Sequence, residues 1–377
     1  DPSAWYHFVV SFDSTNAIST DRSIIYVNGS RITDLAQETQ PSLNYDTWFN
    51  ATNEHRIGHF NNSDYMNGYM ADIHFLDGYA YGPEYFGEFE DNGIWRPIEY
   101  DGSYGSNGFK IDGRDSSDLG DDESGNGNDY STSGLAAHDQ VTDSPTNNFC
   151  TINPNYRGSN STASQYGTVK DGNLKFMYTD ANNAGTLCTQ LFESGKWYWE
   201  MRYDAGGDSS SYFNSSGIAA VNDGYIKSDS NHNGTISGEI GVNLYNGQVK
   251  FSNSTTKTYT EVPFSNGDVL QVAVDADNGA IYYGKNGTFM GSGDPTSGAS
   301  RTNAGATWTP ASYSGGWVPT VGALGGSVPK VTMNFGQEGT FSGQLTAGGN
   351  SDGNGIGNFK HSVPSGYLAL CTSNLGS

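Results

Sequence analysis

Short aromatic and β-branched runs, each cut off after a few residues by glycine or asparagine, recur from one end of the chain to the other. Trp5-Tyr6-His7-Phe8-Val9-Val10-Ser11-Phe12 is the first, and Val331-Thr332-Met333-Asn334-Phe335 is among the last. Such runs are too short and too β-branched for helices, and no segment shows the spacing of an amphipathic helix. Tyr69, Ala71, Ile73 and Phe75 alternate with Met70, Asp72 and His74, the period of a half-buried strand. Asn28-Gly29 and Asn286-Gly287 each separate two apolar runs. That pair predicts a tight hairpin, because a type I′ turn needs positive φ at both central residues. Pro83–Phe89 has room for one helical turn. The chain is therefore expected to be all-β and antiparallel, with further strands at Lys196–Tyr203, Gly217–Val221, Glu239–Leu244, Val269–Asp275, Ala280–Tyr283 and Val318–Val321.

Length then sets the number of cores. A single core rarely grows past about 250–300 residues, so 377 residues predict two domains. Residues 98–148 are dominated by Asp, Gly, Ser and Asn, which bury little surface. The boundary is placed there, giving domains at 1–135 and 136–377. The 24 Tyr, 18 Phe and 7 Trp argue against a disordered chain. The net charge of −23 argues against nucleic acid and anionic membranes as partners, since both require Lys and Arg. No apolar run is long enough for a membrane-spanning helix. Cys150, Cys188 and Cys371 are too scattered for a disulfide framework; they read as buried thiols, with one bridge as the alternative.

The second half resembles a SPRY domain. The resemblance runs from about 165 to 337 and rests on Gly195-Lys196-Trp197-Tyr198-Trp199-Glu200, Gly267-Asp268-Val269-Leu270-Gln271-Val272-Ala273-Val274-Asp275, Ile281-Tyr282-Tyr283-Gly284-Lys285-Asn286-Gly287 and Val331-Thr332-Met333-Asn334-Phe335-Gly336. The first half resembles a laminin-G-like domain through Ala4-Trp5-Tyr6-His7, Ile25-Tyr26-Val27-Asn28-Gly29 and Gly68-Tyr69-Met70-Ala71-Asp72-Ile73. That likeness begins inside the family's pattern, which implies that N-terminal strands precede it or come from another subunit. Together the two resemblances imply two concanavalin A-like jelly-roll sandwiches in tandem. The combination, ending Pro364-Ser365-Gly366-Tyr367-Leu368-Ala369-Leu370-Cys371-Thr372, is similar to structural proteins of bacteriophages, especially marine ones.

No catalytic constellation stands out. A retaining glycosidase needs two carboxylates about 5–5.5 Å apart. Glu88 and Glu90 read instead as a solvated loop pair, and Glu200 and Asp204 would lie about 13 Å apart along one strand. His55 and His59 read as exposed loop residues. Asp229-Ser230-Asn231-His232-Asn233-Gly234 supplies oxygen ligands at the first, third and fifth places of a calcium loop, but Ile240 stands where the bidentate Glu belongs. Asp115, Asp118 and Asp121, with Asp122 and Glu123, form a second acidic cluster in which calcium or plain solvation would relieve repulsion. For sugar binding, an exposed ring beside polar groups is needed. Tyr212, Tyr225 and Trp308 are the candidates, whereas Trp197, Trp199 and Trp317 read as core.

The phage resemblance implies a non-enzymatic virion protein of the fibre or spike kind, assembled in the host cytoplasm and displayed on the particle exterior. Its partners would be other virion proteins and a host cell-surface glycan or receptor, and a homotrimer would suit a fibre. Two alternatives remain open: a decoration or cement protein binding only virion subunits, and a polysaccharide depolymerase.

Overall fold

The computed structural model describes residues 4–376 apart from 37–38, 61–63, 67, 92, 157–167, 178–182, 206–212, 222–236 and 325–329. The chain divides into two compact units, the first comprising 4–140 with 144–146, the second 141–143 with 147–377.

In the first unit, β1 (Phe8–Phe12), β2 (Ser23–Val27) and β3 (Ser30–Arg31) form a three-stranded antiparallel sheet in that order. Three strand pairs follow: β4 (His59–Phe60) with β5 (Asp64–Tyr65), β6 (Ile73–Phe75) with β9 (Phe109–Ile111), and β7 (Gly87–Phe89) with β8 (Trp95–Pro97). Only the last part of the alternating run from Tyr69 becomes a strand. The helical turn expected after Pro83 is a single 3-10 turn, Pro83–Tyr85. Packing here is aromatic: Tyr100, Tyr104 and Phe86 surround His74, whose Nδ1 lies 2.8 Å from the Tyr104 hydroxyl.

The second unit is a two-layer antiparallel sandwich. Its strands are β10 (Thr168–Lys170), β11 (Lys175–Met177), β12 (Asn183–Leu187), β13 (Lys196–Ala205), β14 (Phe213–Ala220), β15 (Glu239–Asn243), β16 (Gln248–Phe251), β17 (Ser254–Thr258), β18 (Val269–Asp275), β19 (Ala280–Lys285), β20 (Thr288–Phe289), β21 (Ala306–Thr307), β22 (Trp317–Leu324), β23 (Lys330–Asn334) and β24 (Leu368–Ala369). One sheet has the order β10-β11-β23-β13-β18-β19-β20, with β21 added to β19 and β24 to β13; the other runs β12-β22-β14-β15-β16-β17. Alternate residues supply the core between them. Trp197, Trp199, Met201 and Tyr203 of β13 join Leu270, Val272 and Val274 of β18, opposite Ile218, Ile240, Val242, Trp317 and Val321. The pleat dictates this arrangement, since successive side chains point to opposite faces.

Both Asn-Gly hairpins form as their sequence requires. Asn28 and Gly29 adopt φ of 47° and 76°, and Asn286 and Gly287 adopt 51° and 91°. Val27 pairs with Ser30 and Lys285 with Thr288, so each loop is two residues long. All three cysteines are free and buried, the apolar reading of the alternatives above. A four-residue helical turn, Thr372–Leu375, is the single α-helical element among the described residues.

Candidate functional site

The most elaborate polar arrangement of the second unit lies on the outer face of the larger sheet. Because β13 alternates, Lys196, Tyr198, Glu200, Arg202 and Asp204 project away from the sandwich core. Part of this row is not exposed to water. The C-terminal segment runs back across it, and Phe359, Tyr367, Ala369 and Cys371 pack on Tyr198, Ala273, Ala280 and Tyr282. β24 lies parallel to β13 beside Trp197 and Tyr198, at the end of β13 that β23 leaves unpaired.

Glu200 sits beneath this strap with 0% exposure. The backbone N–H of His361 donates to its Oε1 at 2.7 Å and that of Lys360 to its Oε2 at 2.8 Å. The Tyr198 hydroxyl donates to Oε1 at 2.9 Å, and Asn334 Nδ2 lies 3.4 Å from Oε2. Gln271 extends the network, donating to the Tyr198 hydroxyl at 3.2 Å and accepting from the Gly287 N–H at 2.7 Å. Burial pushes the Glu200 carboxyl up to about 7, against the opposing pull of its four donors. With both oxygens engaged, the group has no free face for a substrate. It fastens the strap to the sheet.

A second buried carboxylate folds the strap itself. Asp352 Oδ1 accepts the N–H groups of Asn354 and Ile356, while Oδ2 accepts the Ala369 N–H and the Asn374 side chain, all between 2.8 and 2.9 Å. Further along the face, Lys196 pairs with Asp275 at 3.3 Å and Arg202 with Asp204, which also accepts the Thr332 hydroxyl. Glu200 and Asp204 thus share a face, as their spacing requires, yet each is committed to different partners. In the first unit Glu88 and Glu90 both pair with an exposed Arg96.

Trp308 is corrected by its surroundings. It is only 5% exposed and its ring centroid lies 4.8 Å from that of Trp317, which Tyr313 also approaches at 4.8 Å. The loop after β21 turns its aromatic side chains inward to fill the sandwich, so Trp308 offers no surface ring to a sugar. Trp197, Trp199 and Trp317 are core, as expected. Tyr212, Tyr225, Asp229, Asn231 and Asn233 lie outside the described residues.

The acidic cluster does not converge either. Asp115 accepts the Ser117 N–H and hydroxyl, and the Ser117 hydroxyl chiefly holds its carboxyl below the usual range. Asp118 accepts the Gly120 N–H at 3.3 Å. Asp121 is shifted upward, mainly by desolvation and then by Asp129, Asp118 and Asp115. Among the described residues no group of three His, Cys, Asp or Glu could hold a metal ion. Asp115, Asp118 and Asp121 are thus not brought together as one three-carboxylate group; Asp115 and Asp118 each close a local turn.

The residue that composition hid is Asp122, buried among exposed neighbours. Its carboxylate accepts the N–H groups of Lys110, Ser124 and Asn128 and the Ser124 hydroxyl at 2.8–2.9 Å. Burial raises its affinity for a proton, but those bonds together hold it below the ordinary value. Asn126 and Asn128 donate to the Gly108 carbonyl, closing the loop on itself.

The alternation on β13, the two-sheet order and the Asn-Gly hairpin after β19 define a two-layer β-sandwich. Residues 196–338 match the family model of the SPRY domain, and this part of the chain is a SPRY domain. Among solved structures, the SPRY domain of human HERC1 is similar at 17% identity and a TM-score of 0.34, covering 44% of this chain and 91% of that one. The TRIM65 PSpry domain is similar at 12% identity and a TM-score of 0.33, covering 49% and 88% respectively. No curated protein matches the chain. The strap and the segment leading into the sandwich fall outside the 196–338 match.

Proposed function

We propose that the chain is a non-enzymatic binding protein whose SPRY domain is a rigid frame for loops that engage a protein partner. The observation that carries this reading is the SPRY domain at 196–338 itself, a fold whose members mediate protein–protein interaction. Its polar outer face supports the same reading, because both oxygens of Glu200 and of Asp352 are taken up by internal hydrogen bonds. On the phage resemblance of the sequence, such a module would sit on a virion exterior, as a fibre or spike component attaching to the host surface, with a trimer suiting that role. The first unit is read as part of a laminin-G-like sandwich, which would make the chain two concanavalin A-like modules in tandem. A protein receptor is preferred to a glycan because Trp308, the one described sugar-platform candidate, is core.

The test is adsorption of the purified, labelled chain to host cells. Binding abolished by protease treatment of the cells and retained after periodate oxidation supports a protein receptor. The converse pattern would transfer the site to a glycan. Release of reducing sugar from host polysaccharide would overturn the non-enzymatic reading.

A further inference from the structure

The first unit holds a sheet edge built to be paired. Among the described residues β2 alone pairs with β1, and none of them forms a strand along its opposite edge. Which backbone groups face that edge follows from the ladder. The Asn28 N–H donates to the His7 carbonyl and the Asp13 N–H to the Arg22 carbonyl, each at 2.8 Å. Both pairs lie on the register that sets Val9 opposite Tyr26, so His7, Val9, Ser11 and Asp13 face β2. The N–H and C=O groups of Phe8, Val10 and Phe12 therefore point outward.

Two of these residues leave their side chains in water, while Phe12 is half-buried against Phe49. Phe8 is 65% and Val10 62% exposed, on one face with the partly exposed Ile25 that pairs with Val10. An edge meant to stay open is blunted by lysine, proline or a bulge. β1 reads Phe-Val-Val-Ser-Phe and pairs with β2 without a register break, so it has none of these. Charge selects the occupant. The first unit carries six Lys and Arg against 23 Asp and Glu. A second copy would bring the same negative field and be repelled, whereas a cationic segment would be drawn in.

We propose that β1 accepts an extended strand of a partner protein, one that alternates apolar residues with Lys or Arg. The strand extends the sheet through the outward groups of Phe8, Val10 and Phe12 and covers the Phe8–Val10–Ile25 face with its own apolar side.

The probe is a short labelled peptide alternating valine with lysine, titrated into the full chain and read by fluorescence anisotropy. It should bind at low salt, weaken as salt rises, and bind at least roughly tenfold more tightly than the valine–glutamate counterpart. Val10→Pro removes one outward N–H and should cut binding at least roughly tenfold, since an edge position facing solvent tolerates proline. Hydrogen exchange at Val9 and Ser11 checks that the β1–β2 ladder survives. If that ladder is lost, Val10→Lys serves instead, setting a like charge against the peptide while keeping the N–H, and it should weaken binding similarly. Equal affinity for the glutamate peptide, unaltered binding by the variant, or no binding to the wild-type chain would overturn the proposal. So would a wild-type dimer in sedimentation that Val10→Pro dissolves, because the occupant would then be a second copy.

Discussion

Replacing Glu200 by glutamine should change the stability of the SPRY unit in opposite directions at acid and neutral pH. In the folded chain the carboxyl is raised from 4.5 to about 7 by burial. A group whose folded value lies above its unfolded one stabilises the fold below the unfolded value, and that contribution fades as pH climbs to the folded one. The difference between the two values, at about 1.4 kcal/mol per unit, makes the wild-type fold roughly 3 kcal/mol less stable at pH 7.5 than at pH 4 through this group alone. Glutamine does not titrate. It presents one acceptor oxygen to the strap, so one of the Lys360 and His361 N–H groups, or a partner on the same oxygen, meets an amide donor. A protonated glutamate meets much the same conflict, and the variant should therefore cost only about 1 kcal/mol at pH 4.

Subtracting the two effects, Glu200→Gln is expected to be about 1 kcal/mol less stable than wild type near pH 4 and about 2 kcal/mol more stable near pH 7.5. The assay is urea unfolding at a series of pH values, read by hydrogen exchange in peptides from β13 and β23 so that only the second unit contributes. Taking the difference between variant and wild type removes the common titration of the many surface carboxylates. A difference that stays constant across the range would refute the reasoning. It would mean that four donors hold Glu200 ionised at its ordinary value and outweigh the desolvation penalty.

Trp308→Ala should lower stability by about 3–5 kcal/mol, as large-to-small core substitutions of tryptophan do, and calorimetry should show a melting temperature about 10 °C lower. A near-normal melting temperature would return Trp308 to the surface. Asp122→Ala leaves the N–H groups of Lys110, Ser124 and Asn128 without their acceptor and should cost about 2–3 kcal/mol. Faster hydrogen exchange across 108–130, with the SPRY unit unaffected, is the signature to look for. In the native chain Cys150, Cys188 and Cys371 should all be inert to a thiol reagent at pH 8 and react together in denaturant. One thiol reacting at the rate of a free peptide would show that its part of the core opens.

What could be read from the sequence was what local chemistry decides. The alternation of Trp197, Trp199, Met201 and Tyr203 fixes which face of β13 is core, and positive φ at Asn286 and Gly287 fixes the hairpin, with no distant residue consulted. Trp308 defeated the same logic because its neighbours, Gly305, Thr307 and Pro310, announce a loop while its partner Trp317 lies on a strand in the opposite sheet. The acidic cluster failed differently. Counting carboxylates predicts repulsion that calcium or solvation would relieve, but a carboxylate two residues before a serine has a nearer remedy in the N–H and hydroxyl that Asp115 takes from Ser117. Glu200 was the least legible. Sequence gives it the look of an outward, solvated strand residue, and only the return of Lys360 and His361 from 160 residues away makes it a buried latch. Side chains whose role is set by neighbours within two or three positions are therefore the ones a sequence can assign. Those whose role is set by chain closure, as at Glu200, Asp352 and the open edge of β1, require the fold before their chemistry can be named.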